Sequence, residues 1–362
     1  MKNEKIYLFG FSRWKHGFVK AFLKEYSDKN IIFINPILST HYKLALNKGL
    51  DKNCLIFIWG KKEFKDIEEF VKKKNITITR VEDGFIRSVG LGSDLTRPYS
   101  LVFDDEGIYF DPTTSSRLES ILNTYDFDEK ILQEARSLKQ KILDTKISKY
   151  NSSSHVQLNL PKDKIKILVS GQVEDDASIK FGANGMTNLE LLKQVKKENP
   201  NAYIVFKPHP DVLSGNRVGN ISKDEALKYC DQVIIEVSMS SVLSAVDEVH
   251  TMTSLTGFEG LLYEKKVVTY GMPFYAAWGL TQDKKKCDRR KRVLTLDELI
   301  AGIYLIYPTY IHPKTLQYCH PSVLIDELEK ERKMLNNTIY KYKSRIYTYL
   351  SRTSQKILSL VK

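Results

Sequence analysis

Short apolar runs alternate with segments of helical periodicity along most of the chain. Such runs, rich in β-branched and aromatic residues, are typical of strands in a parallel sheet, and the segments between them have the length of crossover helices. The apolar runs lie at residues 6–11, 31–34, 55–59, 76–81 and 101–103, and then at 165–169, 203–206, 233–235 and 267–270. The pattern predicts an α/β chain with two series of parallel strands.

A polar stretch separates the two series. Residues 126–160 have helical periodicity and end in Asn151-Ser-Ser-Ser-His155, a composition typical of a linker. We therefore expect two Rossmann-like domains, over residues 1–155 and 160–320, that face each other across a cleft, with a helical tail over 321–362. Two local features are also predicted: a hairpin that turns at residues 105–107, and a helix that begins with capping-box spacing between Ser116 and Glu119.

Composition narrows the class of protein. With 362 residues, 42% of them hydrophobic and 28% charged, the chain has the make-up of a globular protein with two cores. Its four cysteines lie far apart without any C-x-x-C pair, so neither a disulfide framework nor a metal site is predicted. The apolar runs are too short for a signal-peptide core or a transmembrane helix. The cytoplasm is therefore the expected compartment.

The net charge of +12 is concentrated near the C-terminus. Residues 331–362 contain eight Lys or Arg and a single acid, Glu331. Residues 340–350 mix bases with tyrosines, as does a basic helix that rests on the anionic inner face of the cytoplasmic membrane. A helix that packs its apolar face on the protein and leaves its bases in water explains the same pattern. Because the bases lie in one tail, no nucleic-acid partner is predicted.

Three acids follow the strand predicted at residues 165–169. Gly171 ends that strand, and Glu174, Asp175 and Asp176 come just past its carboxyl end. Open α/β sheets bind ligands at this edge, and adjacent acids are costly to enclose unless they are used. We therefore expect one of the three to take part in chemistry.

Two further motifs have the chemistry of an anion site. Lys207-Pro-His-Pro-Asp211 follows a strand, and its prolines hold Lys207 and His209 rigidly where a phosphate or carboxylate can bind. In His250-Thr-Met-Thr-Ser-Leu-Thr-Gly-Phe-Glu259, hydroxyls cluster at a predicted helix start, where free backbone N–H groups favour a phosphate. Helix capping alone explains one of these hydroxyls, but not all of them.

The first half has a comparable motif. Glu82-Asp-Gly follows the strand predicted at residues 76–81 and precedes Gly90-Leu-Gly92. Taken alone, it is as well explained by a structural turn. The sequence lacks the phosphate-loop, nucleophile-elbow and H-E-x-x-H motifs, so phosphate-loop ATPases, serine hydrolases and zinc proteases are not predicted.

Five motifs resemble one family in matching order. They are the segments 82–94, 171–176, 207–210 and 250–259, together with Pro273-Phe-Tyr-Ala-Ala-Trp-Gly279. Together they closely resemble the capsule polysaccharide β-Kdo transferases of the KpsC and KpsS type. The resemblance implies a GT-B-like glycosyltransferase that uses CMP-Kdo as donor and extends a Kdo-terminated glycolipid in the poly-Kdo linker of a capsule. KpsC-type proteins carry two such modules in tandem, and this chain has the length of one.

The resemblance also implies roles for individual residues. A β-linked product from β-linked CMP-Kdo requires net retention, which a double displacement through an enzyme carboxylate achieves. Asp176 is our candidate nucleophile, with Asp175 as the alternative. Glu82 is the candidate base for the acceptor hydroxyl, with Asp83 as the alternative. The donor pocket is expected to contain Lys207, His209, Pro210, His250, Thr253, Ser254, Gly257 and Glu259. No separate cofactor is expected.

Two other functions remain open. One is a transferase of the same shape that uses another CMP-sugar, such as CMP-sialic acid. The other is a non-catalytic scaffold that binds glycan or nucleotide within a capsule export complex, in which the acids are structural.

Overall fold

The computed structural model describes residues 4–89, 96–147, 157–213 and 217–335. Within these ranges the chain forms two compact units, the first from residues 4–106 and 307–335 and the second from 107–147 and 157–306. Each unit is built on its own sheet, and the C-terminal region is helical. The predicted α/β class with two Rossmann-like units is confirmed.

The strands and helices alternate as the apolar pattern indicates. In chain order the strands are β1 (Ile6–Phe9), β2 (Ile31–Ile34), β3 (Leu55–Trp59), β4 (Ile78–Asp83), β5 (Ser100–Asp104), β6 (Lys166–Ser170), β7 (Tyr203–Lys207), β8 (Gln232–Val233), β9 (Glu248–Thr251), β10 (Lys266–Thr269), β11 (Gln282–Asp283) and β12 (Pro308–Tyr310). The helices are α1 (His16–Phe22), α2 (His41–Asn47), α3 (Lys65–Lys74), α4 (Arg117–Thr124), α5 (Glu129–Thr145), α6 (Ala177–Gly182), α7 (Asn188–Glu198), α8 (Pro210–Leu213), α9 (Lys223–Ala226), α10 (Met239–Ala245), α11 (Leu255–Leu262), α12 (Leu296–Ile300) and α13 (Pro321–Leu335).

The first unit has a mixed sheet in the order β12-β5-β4-β3-β1-β2. Strands β1 to β4 are parallel, whereas β5 runs antiparallel to β4 and β12 runs antiparallel to β5. Ile6 and Leu8 of β1 pack in the same core as α1, while Tyr7 and Phe9 pack in the same core as α3. Helices thus cover both faces of β1, so the strand is apolar at every position.

The second unit has an all-parallel sheet in the order β11-β10-β9-β6-β7-β8. The chain builds this sheet outward from β6 to β8 on one side and from β9 to β11 on the other. The strand order therefore reverses between β6 and β9. In open α/β sheets, ligands bind outside the carboxyl ends of the strands at such a reversal.

The bounds of the units differ from those of the predicted domains. Helices α4 and α5 lie in the second unit, where they pack on α12 and on the π-helical segment Ala301–Ile306. A Cβ at Gly302 would lie 2.6 Å from Leu122 Cδ2, so this approach of α4 requires glycine. Conversely, β12 and α13 belong to the first unit, because β12 pairs with β5.

The predicted hairpin does not form, because residues 105–110 contain a bend and a turn but no second strand. Strand β5 pairs with β4 on one side and with β12 on the other, so both of its edges are already occupied. The helix start at Ser116 is confirmed, because its hydroxyl accepts a hydrogen bond from the backbone N–H of Glu119 at 3.2 Å. The Glu119 carboxylate does not complete a capping box and instead binds Arg289 and Arg290.

Three predicted features lie outside the described residues: the linker at 151–155, the Gly90-Leu-Gly92 segment, and the basic part of the tail from residue 336. Within the described ranges, no helix combines the length and hydropathy needed to cross a bilayer.

Candidate active site

A buried glutamine joins the carboxyl ends of β6 and β9. Gln172 follows β6 and is 6% exposed, and its backbone N–H donates to Asn188 Oδ1 at 2.8 Å. Its side chain reaches the loop after β9, where Oε1 accepts from the backbone N–H of Thr253 at 2.8 Å and Nε2 donates to Thr253 Oγ1 at 3.0 Å. Both ends of the amide are bonded, so the two loops are held in a fixed arrangement.

The hydrogen bonds continue from Thr253 to an acid. Thr253 Oγ1 donates to Ser178 Oγ at 3.3 Å, and Ser178 Oγ donates to Asp176 Oδ1 at 2.7 Å. The backbone N–H of Ser178 also donates to Asp176 Oδ1, at 2.9 Å, so this aspartate caps the start of α6. The chain Gln172, Thr253, Ser178, Asp176 is oriented donor to acceptor throughout and ends on a carboxylate.

The three adjacent acids have different environments. Glu174 Oε1 accepts from the backbone N–H of Asn188 at 2.7 Å, which fixes the start of α7. Asp175 is 52% exposed and binds Arg217 through Oδ1 at 3.0 and 3.1 Å. Asp176 is bonded through Oδ1 alone, and in the part of the chain that the structure describes its Oδ2 accepts no hydrogen bond. The side-chain chain that starts at Gln172 thus ends on Oδ1 of Asp176 and leaves its Oδ2 available.

The hydroxyls at the start of α11 mostly bond to one another. Ser254 caps the helix by accepting from the backbone N–H of Thr256 at 3.2 Å, and Ser170 at the end of β6 donates to Thr256 Oγ1 at 3.2 Å. A Cβ at Gly257 would lie 2.1 Å from Tyr275 Oη, which donates to the carbonyl of Ser254. The close approach that Gly257 permits is therefore that of Tyr275.

The Lys207-Pro-His-Pro segment continues from β7 beside Gly171. Lys207 is 6% exposed and donates to the carbonyl of Ile235 at 3.1 Å, and burial lowers its pKa to about 8. His209 Nδ1 accepts from the backbone N–H of Asp211 at 3.2 Å, so the neutral ring carries its proton on Nε2. Pro210 is exposed and begins α8, a position that suits proline.

Two of the predicted donor-pocket residues lie elsewhere in the second unit. His250 lies within β9 and is 3% exposed, with its ring nitrogens 3.0 Å from Glu248 Oε2 and 3.2 Å from Tyr270 Oη. Burial lowers the pKa of His250, and both ring nitrogens bond within the sheet rather than at its carboxyl edge. Glu259 lies on α11, where its charge adds to the effect of burial in raising the pKa of Tyr304.

Glu82 and Asp83 end β4 in the first unit and have distinct partners. Asp83 Oδ2 accepts from Nε of Arg87 at 2.7 Å, and this arginine is 2% exposed. Glu82 Oε1 accepts from the backbone N–H of Asp83 at 3.0 Å. Burial lowers the pKa of Lys15 to about 8, although the nearby negative charge of Glu82 raises it. Lys15 Nζ lies 2.9 Å from the centre of the Trp59 ring. Asp83 is thus a structural partner, whereas Glu82 lies beside a desolvated lysine.

Sequence reasoning missed Gln172, Ser178 and Asn188, and it missed a basic run at residues 284–292. The amide and hydroxyl side chains carried no distinctive spacing, because their roles depend on β6 and β9 being neighbours. The run 284–292 is visible in the sequence as seven bases with one acid. Among the described residues, no group of three or more His, Cys, Asp or Glu side chains is arranged to hold a metal ion.

The fold is that of a family of polysaccharide-synthesis proteins. The chain belongs to the capsule polysaccharide biosynthesis protein family, whose model matches residues 54–312. It is 47% identical over 341 residues to the capsule polysaccharide modification protein LipA of Neisseria meningitidis, a match that covers 93% of this chain and 47% of LipA. The chain therefore spans about half the length of this relative.

Two solved structures share the fold. One is the β Kdo 2,7 transferase of Thermosulfurimonas dismutans KpsC, with 37% identity and a TM-score of 0.73 over 91% of this chain and 100% of that one. The other is the β Kdo 2,4 transferase of the same KpsC, with 31% identity and a TM-score of 0.76 over 91% of this chain and 99% of that one. The family resemblance noted from the sequence motifs is confirmed.

Proposed function

We propose that this chain is a retaining β-Kdo transferase that moves Kdo from CMP-Kdo to a Kdo-containing or lipid-linked acceptor in capsule linker synthesis. The observation that carries the proposal is the similarity to two transferases of one KpsC, each matched over 99% or more of its length. Both use the same sugar in a β-linkage, and the similarity extends over both units of this chain.

Asp176 is the proposed nucleophile. Its Oδ1 is fixed by Ser178, which leaves Oδ2 as the oxygen that can attack the anomeric carbon. In this step the Oδ2–carbon bond forms, the bond from that carbon to the phosphate oxygen breaks, and CMP leaves with the electron pair. Asp175 is a weaker candidate because its exposed carboxylate is already bound to Arg217.

The leaving phosphate is proposed to lie between the Lys207 motif and the start of α11. Lys207 carries a desolvated amine and His209 is fixed through Nδ1, and Ser254 begins a helix whose dipole favours an anion. Thr253 supports this site through Gln172. The internal bonds of His250 and the contact of Gly257 with Tyr275 argue for structural roles for those two residues.

The second displacement regenerates the enzyme. An acceptor hydroxyl attacks the anomeric carbon of the aspartyl-Kdo adduct, its proton passes to a carboxylate, and Asp176 leaves as a free carboxylate. Glu82 is the proposed base in the first unit, because Asp83 neutralises the buried Arg87. Two inversions at one carbon give net retention.

We propose that the protein works at the inner face of the cytoplasmic membrane, where a lipid-linked acceptor is found. The eight bases at residues 331–362 suit an anionic lipid surface.

Transfer from radiolabelled CMP-Kdo and CMP-sialic acid to a Kdo-terminated acceptor tests the proposed function. We expect product only from CMP-Kdo, with the new linkage in the β configuration by NMR. Product from CMP-sialic acid alone would indicate another CMP-sugar transferase. Tight CMP binding without transfer from either donor would indicate a scaffold.

A further inference from the structure

The basic run at residues 284–292 divides into bases with acid partners and bases without them. Four members pair with carboxylates: Lys284 with Glu198, Arg289 and Arg290 with Glu119, and Arg292 with Glu298. Within the described ranges, Lys285, Lys286 and Lys291 pair with no acid. Lys285 Nζ donates to the carbonyl of Gly182, at 3.3 Å, and burial lowers its pKa.

Lys285 and Lys286 line one cavity in the second unit. The cavity has a volume of about 370 Å³, within the range of about 300–1,000 Å³ that is typical of small-ligand sites. Its other walls include Phe181, Asn184, Met272, Asp288 and Arg289, of which Arg289 is paired with Glu119. Lys291, the third base without an acid partner, does not line it. The cavity thus combines an apolar wall and an amide with two lysines that make no ion pair with a described residue, and the Asp288 carboxylate on its wall can balance at most one of their charges.

We propose that this cavity binds the carboxylate of a sugar acid in the acceptor, held by Lys285 and Lys286. The identity of that sugar as Kdo rests on the proposed function. The negative charge of the ligand is inferred from the cavity alone. A carboxylate that replaces water around the desolvated Lys285 ammonium gains a charge-assisted hydrogen bond, and Asn184 can bond the sugar hydroxyls.

The position of the cavity favours the acceptor over the sugar being transferred. Lys285 contacts Gly182 at the end of α6, whereas Asp176 caps its beginning. The helix has six residues, so these ends are roughly 9 Å apart at 1.5 Å per residue. The carboxylate of the transferred sugar is bonded to the carbon that Asp176 attacks and must stay next to that residue. An anion at Lys285 therefore belongs to a neighbouring sugar.

Acceptor kinetics test the assignment. The Lys285→Ala/Lys286→Ala variant should raise the KM for a Kdo-terminated acceptor by roughly tenfold or more, with the KM for CMP-Kdo and kcat changed less than about twofold. Lys291→Ala, from the same run, should match the wild type, and Lys285→Arg/Lys286→Arg should restore much of the affinity. An acceptor whose carboxylate is converted to an amide should bind the wild type weakly and be insensitive to the double substitution.

A labelling experiment without donor separates this inference from the proposed function. Cys287 also lines the cavity, whereas Cys319 lies in the first unit, and both are partly exposed. The Kdo acceptor should slow alkylation of Cys287 relative to Cys319 even if no transfer occurs, and its amide analogue should not. Equal protection by both ligands, or an unchanged acceptor KM in the double variant, would overturn the assignment. Failure of transfer with selective protection of Cys287 would overturn only the proposed reaction.

Discussion

The hydroxyl of Thr253 donates to the hydroxyl of Ser178 at 3.3 Å, across 75 residues of sequence. This contact joins the loop after β9 to the first turn of α6, which Asp176 caps. The strand reversal between β6 and β9 brings the two loops together, and Gln172 fixes their separation. The position of the proposed nucleophile therefore depends on both strands.

Substitutions that remove the hydrogen bond between Thr253 and Ser178 should show that Thr253 acts on Asp176 through Ser178. Ser178→Ala and Thr253→Val should each lower kcat for transfer, because each breaks the chain of hydrogen bonds to Oδ1. The double variant should lose less than the product of the single losses, with a coupling free energy of about 0.5–3 kcal/mol. Thr253→Val should also lower the free energy of unfolding by about 1–3 kcal/mol, because Gln172 Nε2 loses its buried acceptor. Additive effects on kcat would mean that the two hydroxyls act independently.

Substitutions of Glu82 and Asp83, the two carboxylates that end β4, should have different effects on stability and activity. Asp83→Asn should lower the free energy of unfolding by about 1.5–3 kcal/mol, because the buried Arg87 loses its charged partner. Glu82→Gln keeps an acceptor for the Asp83 N–H, so its melting temperature should stay near that of the wild type while kcat falls by about 10²-fold or more. Full transfer activity in a folded Glu82→Gln variant would exclude Glu82 as the base.

Phosphate binding at Lys207 should depend on pH in a definite direction. Burial lowers the pKa of its amine to about 8. The side chain is therefore a charged ammonium below that pH and loses its charge as the pH rises through about 8. A bound phosphate stabilises the charged form and raises this pKa. CMP binding at pH 8.5 should therefore take up protons, and its affinity should fall between pH 7 and pH 9.5.

Calorimetry in buffers of different ionisation enthalpy measures that proton uptake directly. Lys207→Arg stays charged throughout this range, so its CMP affinity should vary less with pH and its proton uptake should disappear. Proton uptake that persists in the arginine variant would assign the effect to another group.

Asp176 has a capping role as well as the proposed chemical one, and asparagine separates the two. Asparagine is as good an N-cap as aspartate, so Asp176→Asn should keep the bond to Ser178 and the stability of α6. Its transfer rate should nevertheless fall by at least about 10³-fold, because an amide cannot form the glycosyl ester. Asp176→Ala should additionally lose about 1 kcal/mol of stability, measured by denaturant unfolding.

The apolar pattern predicted most of the strands in the two sheets, but not all of them. β1 and β6 were predictable because continuous burial on two faces requires continuous apolar residues. β9 was not predicted, because Glu248 and His250 are polar in sequence, and their burial depends on their mutual 3.0 Å contact and on their contacts with Lys266 and Tyr270. β12 was missed because it is three residues long and pairs with β5, about 200 positions earlier in the chain.

The acids of the candidate site were predictable from the sequence, but the residues that hydrogen-bond to them were not. Three acids past a buried strand stand out in the sequence by charge alone. The choice of a candidate nucleophile among them required their bonding partners, which only the structure shows. These are Asn188 for Glu174, Arg217 for Asp175 and Ser178 for Asp176. The sequence did not show that β9 ends between His250 and Thr253, which places His250 within the strand and Thr253 in the loop after it. Sequence shows which groups are present, and strand order decides which of them meet.

Intact-mass spectrometry after incubation with CMP-Kdo, in the absence of acceptor, tests the central claim most directly. The wild type and Asp175→Ala should gain the mass of one Kdo residue, and peptide mapping should place it on Asp176. Asp176→Asn should gain none while still binding CMP, and added acceptor should discharge the adduct from the wild type. An adduct on Asp176→Asn, or on a peptide without residue 176, would contradict the account.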